Sequence, residues 1–510
     1  MLARTHSGCV VGVDARLVSV EVHITSNVPG FEIVGLPETA VRESRVRVRA
    51  ALTNSGYELP PRKIVLNLAP ADHKKRGAGL DLAIAIALLS ACGSCAPNRL
   101  EETLLFGELS LAGELRGARG LLPLLAAARE RGLEHAIVPE VQRREAALVP
   151  GLRVSSASDL RSVVAALNGT LTLASQIGEG PTIDASRYPD LADVQGQAAA
   201  KRALEVAAAG RHHLLLVGPP GAGKTMLSMR LPGILPSPRP DDALEIATIA
   251  SAAGLRVGER GVRRPFRAPH HTASVAALIG GGDPIRPGEV TLAHGGVLFL
   301  DELPEFARPA IEAFRTVMEA GRAEIARVNE RVSMPASALV IAAMNPCPCG
   351  FEGDRTRHCR CTPQRVLTYR SRVSGPILDR FDLHVRLPPL RLAKLGANKR
   401  EEPSSAVRER VEAARAVLDE HLGTRPLEAR ELLPRMAPGS RRLIIEAAER
   451  LRLSARGFAR ATRVAFTVAA LEGATEPTDA HVAEALGYRR LDRFDEPHVT
   501  LRGGSVPPIG

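Results

Sequence analysis

A glycine-rich segment, GPPGAGKT at residues 218–225, follows the apolar run Leu214–Val217. This order predicts a strand, a tight turn and the start of a helix. Glycines there let the backbone approach phosphate oxygens closely, so that successive N–H groups and the helix N-terminus point at them. Lys224 would supply a positive charge to the outer phosphates, and the Thr225 hydroxyl a ligand to Mg²⁺. The segment therefore predicts a nucleoside triphosphate site.

A second apolar run, VLFL at residues 297–300, ends in two acidic residues, Asp301 and Glu302. A strand there would bring both carboxylates to the same edge of the sheet. Asp301 is suited to hold Mg²⁺ through water, while Glu302 is suited to orient and deprotonate the attacking water. The alternative is that the first motif is an ordinary glycine-rich turn between a strand and a helix, and the second an ordinary acidic strand end. The complete GxxxxGKT pattern, with a strand before each motif, favours a nucleotide triphosphatase.

Two further polar residues lie where core elements should end. Asn345 follows the apolar run at residues 338–343, and Arg380 lies in the segment GPILDRFD at residues 375–382. An Asn at a strand end can bond the attacking water or the terminal phosphate. An Arg that reached a neighbouring subunit's nucleotide would stabilise charge in the transition state. The alternatives are a simple turn at Asn345 and a surface salt bridge from Arg380 to Asp379 or Asp382.

Four cysteines form two CxC pairs that are separated by nine residues. This spacing suits a tetrahedral zinc ion, which would close a small loop that has little hydrophobic core of its own. A structural ion is favoured over a catalytic one, because four thiolates leave no open position for water. The alternatives are four unrelated thiols, or a ligand set in which His358 replaces a cysteine. The proposed ligands are Cys347, Cys349, Cys359 and Cys361.

Length and composition set the class of protein. The 510 residues suffice for about three domains, and 24% charged with 45% hydrophobic residues is typical of a soluble globular chain. We expect a cytoplasmic protein with no membrane partner, because neither a secretory signal pattern nor an apolar stretch of bilayer length occurs. The net charge of +11 fits a polyanionic partner. With no Trp and four Tyr, Arg and Lys contacts to phosphates would have to supply the affinity.

The chain divides into blocks by its patterning. An α/β block covers residues 1–168, in which Val18, Val20, Val22 and Ile24 alternate as in a half-buried strand. A weakly patterned linker is predicted at 169–190, and the triphosphatase block at 191–395 with the cysteine-bearing insertion at 346–362. A helical block covers 400–497, where apolar residues 407, 411, 414 and 418 share one face. Residues 498–510 are predicted to be a frayed tail.

The order of these motifs resembles the AAA+ ATPases, and within them the magnesium-chelatase-like group. DVQGQ (193–197), FRAPHHTAS (266–274), LAHGGVLFLDELPEF (292–306), MNPCPCG (344–350) and SGPILDRFD (374–382) are similar to the ComM/YifB family. The resemblance implies an α/β fold: a P-loop core with a parallel sheet sandwiched by helices, followed by a helical lid. It also implies a hexameric ring that binds ATP and Mg²⁺ at subunit boundaries.

As function, the resemblance implies a helicase that promotes branch migration during recombination in natural transformation. Its partner would be branched or single-stranded DNA, with no small-molecule substrate other than ATP. The resemblance also assigns two segments to the pore of the ring: the insert around residues 267–272, and a hairpin before the Asn345 strand at residues 325–334. Arg327 and Arg331 could there touch DNA phosphates. The alternative is that they solvate an exposed loop.

The resemblance assigns a role to each matching residue. It places Val194 near the adenine, Thr225 and Asp301 at Mg²⁺, Glu302 as the base and Asn345 as the first sensor. Arg380 matches the finger that acts in trans, and Arg456 the second sensor, with Arg460 and Arg463 left open as alternatives. The loop around the phosphates comprises Gly218, Pro219, Pro220, Gly221, Ala222, Gly223, Lys224, Thr225 and Met226.

The first block has a resemblance of its own, to the proteolytic domain of Lon-type proteases, an α+β fold like domain 2 of ribosomal protein S5. GAGLDLAIAIALLS at 77–90 and GELSLAGEL at 107–115 carry it. However, Gly79 stands at the position of the nucleophilic Ser and Leu124 at that of the Lys. Glycine carries no nucleophile, and leucine cannot deprotonate one. We therefore expect this block to be a scaffold or DNA-contacting collar without peptidase activity. The neighbouring basic run at 74–76 is read as a solvated loop.

Three functions of different classes are therefore compared. They are an ATP-driven DNA motor, the ATPase subunit of a metal chelatase, and an ATP-dependent protein remodeller or protease. The Lon-like block and the cysteine cluster depart from the chelatase subunit's pattern, while Gly79 and Leu124 count against a protease. Stimulation of ATP turnover by DNA, porphyrin or unfolded protein would discriminate among them.

Overall fold

A computed structural model describes residues 2–26, 28–97, 100–184, 188–257, 261–327, 330–354, 357–389, 401–423 and 427–489. The predicted tail at 498–510 and the boundary between 395 and 400 lie outside these residues. Within them, no helix combines the length and the apolar character that crossing a membrane would need. Two mixed α/β units, each built around its own large sheet, account for most of the described chain.

The N-terminal unit is built on an eight-stranded sheet in the order β10-β9-β8-β5-β1-β2-β4-β3. Its first two strands form a long antiparallel hairpin, whereas β1, β5, β8 and β9 run parallel to one another. The alternating residues predicted for a half-buried strand lie in the second of these strands, with their apolar members buried. The strands are β1 (Leu2–Val11), β2 (Asp14–Thr25), β3 (Gly30–Val34), β4 (Lys63–Ala69), β5 (Thr103–Leu105), β8 (His135–Pro139), β9 (Arg153–Ala157) and β10 (Ala174–Ile177), with a separate small hairpin of β6 (Glu108–Leu109) and β7 (Leu115–Arg116).

The second unit contains a five-stranded parallel sheet in the order β12-β15-β18-β11-β19. The strand before the glycine-rich loop lies between β18 and β19, and β18 separates it from the strand before Asp301. Parallel strands point their carboxyl ends at one edge, where ligands of open α/β sheets bind. The strands are β11 (Leu214–Val217), β12 (Phe266–Arg267), β15 (Val297–Leu300), β18 (Leu339–Met344) and β19 (Leu383–Arg386), with hairpins β13 (Gly280–Gly281) to β14 (Arg286–Pro287) and β16 (Arg322–Arg327) to β17 (Glu330–Pro335).

Helices cover the sheets. Those of the N-terminal unit are Thr39–Asn54, Asp81–Ala91, Leu121–Glu130, Arg143–Ala146 and Leu160–Leu167. The second unit has Ala198–Gly210, Lys224–Ser228, Leu231–Ile234, Pro240–Ala252, Val275–Ile279, Glu289–Leu292, Arg308–Ala320, Pro363–Arg370 and Gly375–Leu378. The C-terminal block has Ser404–Leu422, Ala429–Leu432, Pro438–Arg450, Ala455–Leu471 and Asp479–Gly487, and its first helix buries the predicted residues Val407, Val411, Ala414 and Leu418.

The C-terminal helices share a hydrophobic core with the parallel sheet. Apolar residues of Ala455–Leu471 and Ser404–Leu422 pack with those of Ala198–Gly210 and with alternate residues of β11 and β18. Burial of a typical large apolar side chain stabilises a fold by about 1.5–3 kcal/mol, so this shared core fixes the helical block on one face of the sheet.

The segment predicted as a linker, residues 169–190, is integrated into both units. Strand β10 within it pairs antiparallel with β9 at the edge of the first sheet. Farther along, Ile183 forms an isolated bridge with Val262, and the Tyr188 hydroxyl donates to the carbonyl of Arg264 at 3.0 Å. The segment's weak apolar pattern does not indicate a regular structure. Backbone pairing with the exposed edge of the sheet gives it one.

A second connection joins the N-terminal unit to hairpin β16–β17. Val11 and Val13 of the turn between β1 and β2 pack against Val332 and Met334. Beside them, Arg76 bonds Glu38 at 2.7 Å, Asp283 at 2.8 Å and Glu330 at 3.4 Å. Lys75, next to Arg76 in the same run, is fully buried and donates to the backbone carbonyls of Pro70 and His73. The basic run at 74–76 is thus not the solvated loop expected from sequence.

Candidate functional site

The glycine-rich loop leaves β11 and enters the helix Lys224–Ser228 at the carboxyl edge of the parallel sheet. Gly221 and Gly223 have φ values of +76° and +88°, a region that favours glycine. Ala222 between them is buried. The loop therefore has the backbone needed to aim consecutive N–H groups at an anion, as the sequence predicts.

Lys224 lies at the centre of this loop. Its ammonium donates to the carbonyls of Gly218 and Pro219 at 2.7 and 3.1 Å and to Asn345 Oδ1 at 3.0 Å. Burial lowers the pKa of Lys224, while the negative charges of Asp301 and Glu302 oppose that shift. A partly buried ammonium with only neutral acceptors in contact is well placed to exchange them for phosphate oxygens.

Thr225 and Asp301 meet directly. The Thr225 hydroxyl donates to Asp301 Oδ2 at 2.9 Å, and the Glu302 backbone N–H donates to Asp301 Oδ1 at 3.0 Å. Two hard oxygen donors at the sheet edge match the ligands that Mg²⁺ prefers. The donor set fits that cation, which Thr225 and Asp301 would hold.

Glu302 has a left-handed backbone, with φ at +53°. Such conformations are costly for residues other than glycine and cluster at functional sites. Its carboxylate is half exposed, and one oxygen lies 3.4 Å from His271 Nδ1. The His271 ring in turn packs against that of His270, with centroids 4.1 Å apart. This pairing orients the proposed base, and sequence reasoning missed it; the only signal was the double histidine in FRAPHHTAS.

Asn345 follows β18 and contacts the loop through the bond to Lys224 described above. Behind it, Tyr369 receives a hydrogen bond from the Asn345 backbone, although burial raises the pKa of this tyrosine to about 12 overall. Asn345 is thus held in place from the helix Pro363–Arg370. Its side-chain amide lies beside the ammonium, where it can bond a phosphate oxygen or the attacking water.

We expect Asn345→Ala to lower the rate constant of ATP turnover about 10²–10³-fold, the cost typical of removing one preorganised donor from developing negative charge. Binding of ATP should change little, because Lys224 and the loop N–H groups remain. Steady-state turnover and titration with a fluorescent ATP analogue separate the two quantities. Equal losses in both would show that Asn345 only supports the loop.

The predicted adenine side is formed by the segment before the helix Ala198–Gly210. Val194 is buried, whereas Met226 is 42% exposed beside the loop. Sequence reasoning assigned Gln197 no role of its own. In the structure, its side-chain amide donates to the carbonyls of Ala222 and Pro388 at 3.2 and 3.1 Å. It therefore ties the adenine-side segment to the phosphate loop. Val194 belongs to the hydrophobic core of this unit, and its place near the adenine stays a prediction.

Arg380 does not make the salt bridges to Asp379 or Asp382 considered from sequence. Its side chain is 5% exposed, donates to the Pro376 carbonyl at 2.5 Å, and pairs with Glu319. Burial lowers the pKa of Arg380, and the nearby charge of Arg456 lowers it further. Among the described residues, neither arginine bonds the phosphate loop. The structure therefore places Arg380 beside Arg456, with Glu319 as their shared partner.

The second-sensor candidates differ in their contacts. Arg456 is largely exposed and lies 3.6 Å from Glu319. Arg460 instead bonds Asp382 Oδ1 at 3.1 Å and the Arg380 carbonyl, while Arg463 leaves its Nε buried without a hydrogen-bond partner in the described structure. Of the three, Arg456 alone combines exposure with a position beside Arg380. These two guanidinium groups share one carboxylate, which leaves an excess of positive charge.

The four cysteines converge. Their sulfurs all lie within 4.8 Å of one another, with Cys347 at 3.4 Å from Cys349 and 3.7 Å from Cys359. A tetrahedral zinc ion with bonds of about 2.3 Å holds its sulfurs about 3.8 Å apart. Despite the opposing effect of burial, N–H groups of Phe351 and Arg360 lower the pKa of Cys349 to about 6. His358, the alternative ligand, is not part of this described group.

Comparison with known proteins follows the same division of the chain. The family model described as magnesium chelatase, subunit ChlI, matches residues 190–395, and the ChlI C-terminal model matches 401–489. A further model, subunit ChlI of Mg-chelatase, matches residues 20–142. The matched segments cover the parallel sheet and the helical block, and they cover the first sheet except for β1, β9, β10 and the start of β2.

Similar proteins extend over nearly the whole chain. The YifB protein of Salmonella typhimurium is 43% identical over 97% of this chain and 98% of its own length. The competence protein ComM of Haemophilus influenzae is 41% identical over the same shares. The Holliday junction branch migration complex subunit RuvB of Mycobacterium sp. (strain KMS) is 28% identical over 62% of this chain and 71% of its own. The chain thus belongs to the ComM/YifB family of magnesium-chelatase-like proteins.

Proposed function

We propose that this protein is an AAA+ ATPase that hydrolyses ATP between the subunits of a hexameric ring and uses the energy to drive branch migration of DNA. The observation that carries the proposal is the meeting of Lys224, Thr225, Asp301, Glu302 and Asn345 at one edge of a parallel sheet. Membership of the ComM/YifB family supports the setting in recombination, since one relative is named a competence protein and another a branch migration subunit.

The residues divide the work of hydrolysis. Thr225 and Asp301 would hold Mg²⁺ bound with ATP, and the ion would supply positive charge that offsets part of the charge on the phosphates. Lys224 exchanges its carbonyl partners for the outer phosphates, and Asn345 holds the attacking water or the terminal phosphate. Glu302 accepts the proton from that water at a carboxylate oxygen, with His271 fixing the carboxylate's direction. Together these contacts favour the transition state over bound ATP.

The arginine cluster supports a site shared between subunits. Arg380 and Arg456 lie beside Glu319, and the buried Nε of Arg380 has no hydrogen-bond partner among the described residues. Uncompensated guanidinium groups favour an anion, and a neighbouring subunit's ATP carries one. For Arg380 to reach it, the ion pair with Glu319 must open. Binding of nucleotide at the boundary would thereby couple two subunits.

Hairpin β16–β17 supplies the proposed contact with DNA. Arg327 and Arg331 are exposed near its tip. Glu330, which pairs with Arg327 in the strand register, has its carboxylate turned to Arg76 at 3.4 Å. The positive charges at the tip are therefore not neutralised by that acid. Contacts of this kind position a duplex or a single strand without reading its sequence.

We expect Arg327→Ala and Arg331→Ala each to reduce the slope of log affinity against log salt concentration by about 1, because each removes one phosphate contact. The effect should be similar for DNA of different sequence. Fluorescence anisotropy with labelled DNA at several salt concentrations measures the slope. Arg322→Ala is the matched control, since Arg322 lies on the same hairpin but donates to Ser333 at 2.7 Å. An unchanged slope in both tip variants would remove the hairpin from the DNA interface.

A direct test of the proposed function is ATP turnover with different partners. Branched or single-stranded DNA should stimulate turnover, and added salt should reverse the stimulation because phosphate contacts weaken. Porphyrin and unfolded protein should have no effect. Stimulation by unfolded protein alone would indicate a protein remodeller instead of a DNA motor.

The second candidate is the ATPase subunit of a metal chelatase, which the three matches to ChlI models favour. In that case porphyrin with its partner subunits, and not DNA, would raise ATP turnover. The near-complete alignment with ComM and YifB proteins favours the DNA motor, because it spans 97% of the chain in a single relative. Stimulation by porphyrin alone would reverse this preference.

We extend the proposal to the N-terminal unit, which would be a Lon-like scaffold or collar without peptidase activity. A Cβ at Gly79 would lie 2.3 Å from the Phe106 ring, so a serine there lacks space. Leu124 is buried, and its Cδ1 would lie 2.2 Å from a Cβ at Gly8. Apolar packing thus fills both positions at which the resemblance would require a nucleophile and a base. The helical block after residue 401 would act as the lid of the ATP site.

The proposal also includes a structural zinc ion at the four cysteines. The sulfur separations fit a tetrahedral site, and the backbone N–H of Glu352 donates to Cys347 Sγ at 3.3 Å while that of Cys361 donates to Cys359 Sγ at 3.4 Å. Such bonds stabilise thiolates, which are the form that binds metal.

A further inference from the structure

The cysteine loop, defined as the described residues 346–354 and 357–362 between β18 and the helix Pro363–Arg370, is in contact with the proposed ATP site. Gly350 has a φ of +83°, and a Cβ added to it would lie 2.4 Å from Pro220 Cδ and 2.9 Å from Pro220 Cγ. The backbone of the cysteine loop therefore packs directly on the phosphate loop. Any shift of this loop would change the space available to Pro220.

The same loop is covalently continuous with the sensor. Cys347 comes two residues after Asn345 and is fully buried. Since Asn345 Oδ1 accepts a hydrogen bond from Lys224 at 3.0 Å, the position of the first cysteine bears on the position of the loop lysine. The cysteine loop thus reaches the phosphate loop by two independent routes, one through Gly350 and one through Asn345.

Side chains anchor the loop at its base. Arg370 donates to the carbonyl of Pro346 at 3.2 Å and pairs with Glu352. Beyond that anchor, few large apolar side chains are available, and several residues of the loop are exposed. A short segment with so little core needs a cross-link to keep one conformation. The converging sulfurs are the groups that can provide it.

We propose that a thiolate-preferring divalent cation of the zinc class, bound by Cys347, Cys349, Cys359 and Cys361, holds the cysteine loop against Pro220 and Asn345, so that occupancy of this metal site controls ATP turnover. The inference rests on the proposed ATPase function. Without the cation, the loop loses its cross-link, and Pro220 and Asn345 lose the surfaces that position them. A displacement of about 1 Å in a catalytic constellation can cost about 100-fold in rate.

The first experiment uses the full-length protein, purified under reducing conditions without added metal. Elemental analysis should find about one zinc-class ion per chain. Cys359→Ser with Cys361→Ser should lose the ion and lower ATP turnover about 100-fold, with an unchanged circular dichroism spectrum. Cys92→Ser, outside the loop, is the matched control and should keep both the ion and the turnover.

A second pair of variants tests the contact without touching the ligands. Gly350→Ala forces a Cβ against Pro220, whereas Gly353→Ala has a similar positive φ of +75° but meets nothing within 4 Å. Both proteins should retain the ion, and only Gly350→Ala should lose turnover. This comparison separates coupling to the phosphate loop from backbone strain and from misfolding.

The outcomes distinguish the inference from the function on which it rests. A wild-type protein that contains the ion but hydrolyses no ATP, with or without DNA, contradicts the proposed ATPase function. A wild-type protein that hydrolyses ATP without any bound ion contradicts the metal site. Full turnover in the metal-free cysteine variant, or equal turnover in the two glycine variants, contradicts the coupling.

Discussion

Replacing Glu302 by glutamine is expected to lower ATP turnover about 10²–10⁴-fold while leaving ATP binding intact, because general base catalysis contributes rate factors of that size. Glutamine preserves the volume and the left-handed backbone, but its amide cannot accept the proton from the attacking water. The groups proposed to bind ATP, including Lys224 and Thr225, make no hydrogen bond to the Glu302 side chain among the described residues. Single-turnover hydrolysis and nucleotide titration measure the two effects separately.

The matched control for this variant is Glu305→Gln. Glu305 lies in the same turn and is also exposed, but its carboxylate pairs with Arg372 at 2.8 Å and not with His271. Its replacement should leave turnover within about twofold of the wild-type value, as expected for a surface change of less than 0.5 kcal/mol. If Glu302→Gln retained wild-type turnover, the base would have to be another residue.

Arg380→Ala is expected to lower turnover about 10³–10⁵-fold, the range measured for arginines that complete a phosphoryl-transfer site. A sharper test mixes two inactive variants, Lys224→Ala and Arg380→Ala, in one ring. Lys224→Ala subunits have a defective ATP site but an intact Arg380, whereas Arg380→Ala subunits have the converse. Neither variant alone should hydrolyse ATP, yet their mixture should regain turnover. In a randomly mixed ring, about a quarter of the boundaries combine an intact site with an intact arginine.

Two controls make the mixing result decisive. Arg372→Ala removes a nearby exposed arginine that pairs with Glu305, and it should leave turnover unchanged. Different affinity tags on the two variants, recovered together, show that subunits have mixed. Failure of a mixed ring to regain turnover would contradict action in trans and would reduce Arg380 to the structural ion pair with Glu319.

The core of the site could be predicted from sequence because it depends on local patterns. Apolar runs mark β11 and β15 with the bounds that the structure has, and β18 is displaced by a single residue from its predicted start. Asp301 and Asn345 follow β15 and β18 directly, and the glycine-rich loop that leads to Lys224 follows β11. Parallel strands bring their carboxyl ends to one edge, so the meeting of Lys224, Asp301 and Asn345 follows once the strands are recognised.

The contacts that could not be predicted involve loops and distant elements. His271 reaches Glu302 only because a segment without periodicity folds over the sheet edge. Arg380 pairs with Glu319, sixty-one positions earlier, since the nearer acids already have partners: Asp379 bonds Arg489 at 3.5 Å and Asp382 bonds Arg460 at 3.1 Å. Sequence spacing cannot rank acceptors that tertiary packing brings together.

The N-terminal unit gives a similar lesson about charge. A run of three basic residues normally remains in water, since transfer of an unpaired ammonium into the interior costs several kcal/mol. Lys75 is nevertheless buried, because backbone carbonyls accept from its ammonium, and Arg76 bonds three carboxylates that lie far apart in the chain. These partners become visible only when the unit and hairpin β16–β17 are seen together.

ATP hydrolysis at this site is proposed to move DNA, and a branch migration assay on a mobile four-way junction measures that movement. The wild-type protein with ATP and Mg²⁺ should convert the labelled junction into two duplexes. Lys224→Ala and Glu302→Gln should bind the junction but leave it unresolved. Conversion that proceeds equally well without ATP, or with Glu302→Gln, would contradict the claim, as would a wild-type protein that hydrolyses ATP on the junction and never moves the branch point.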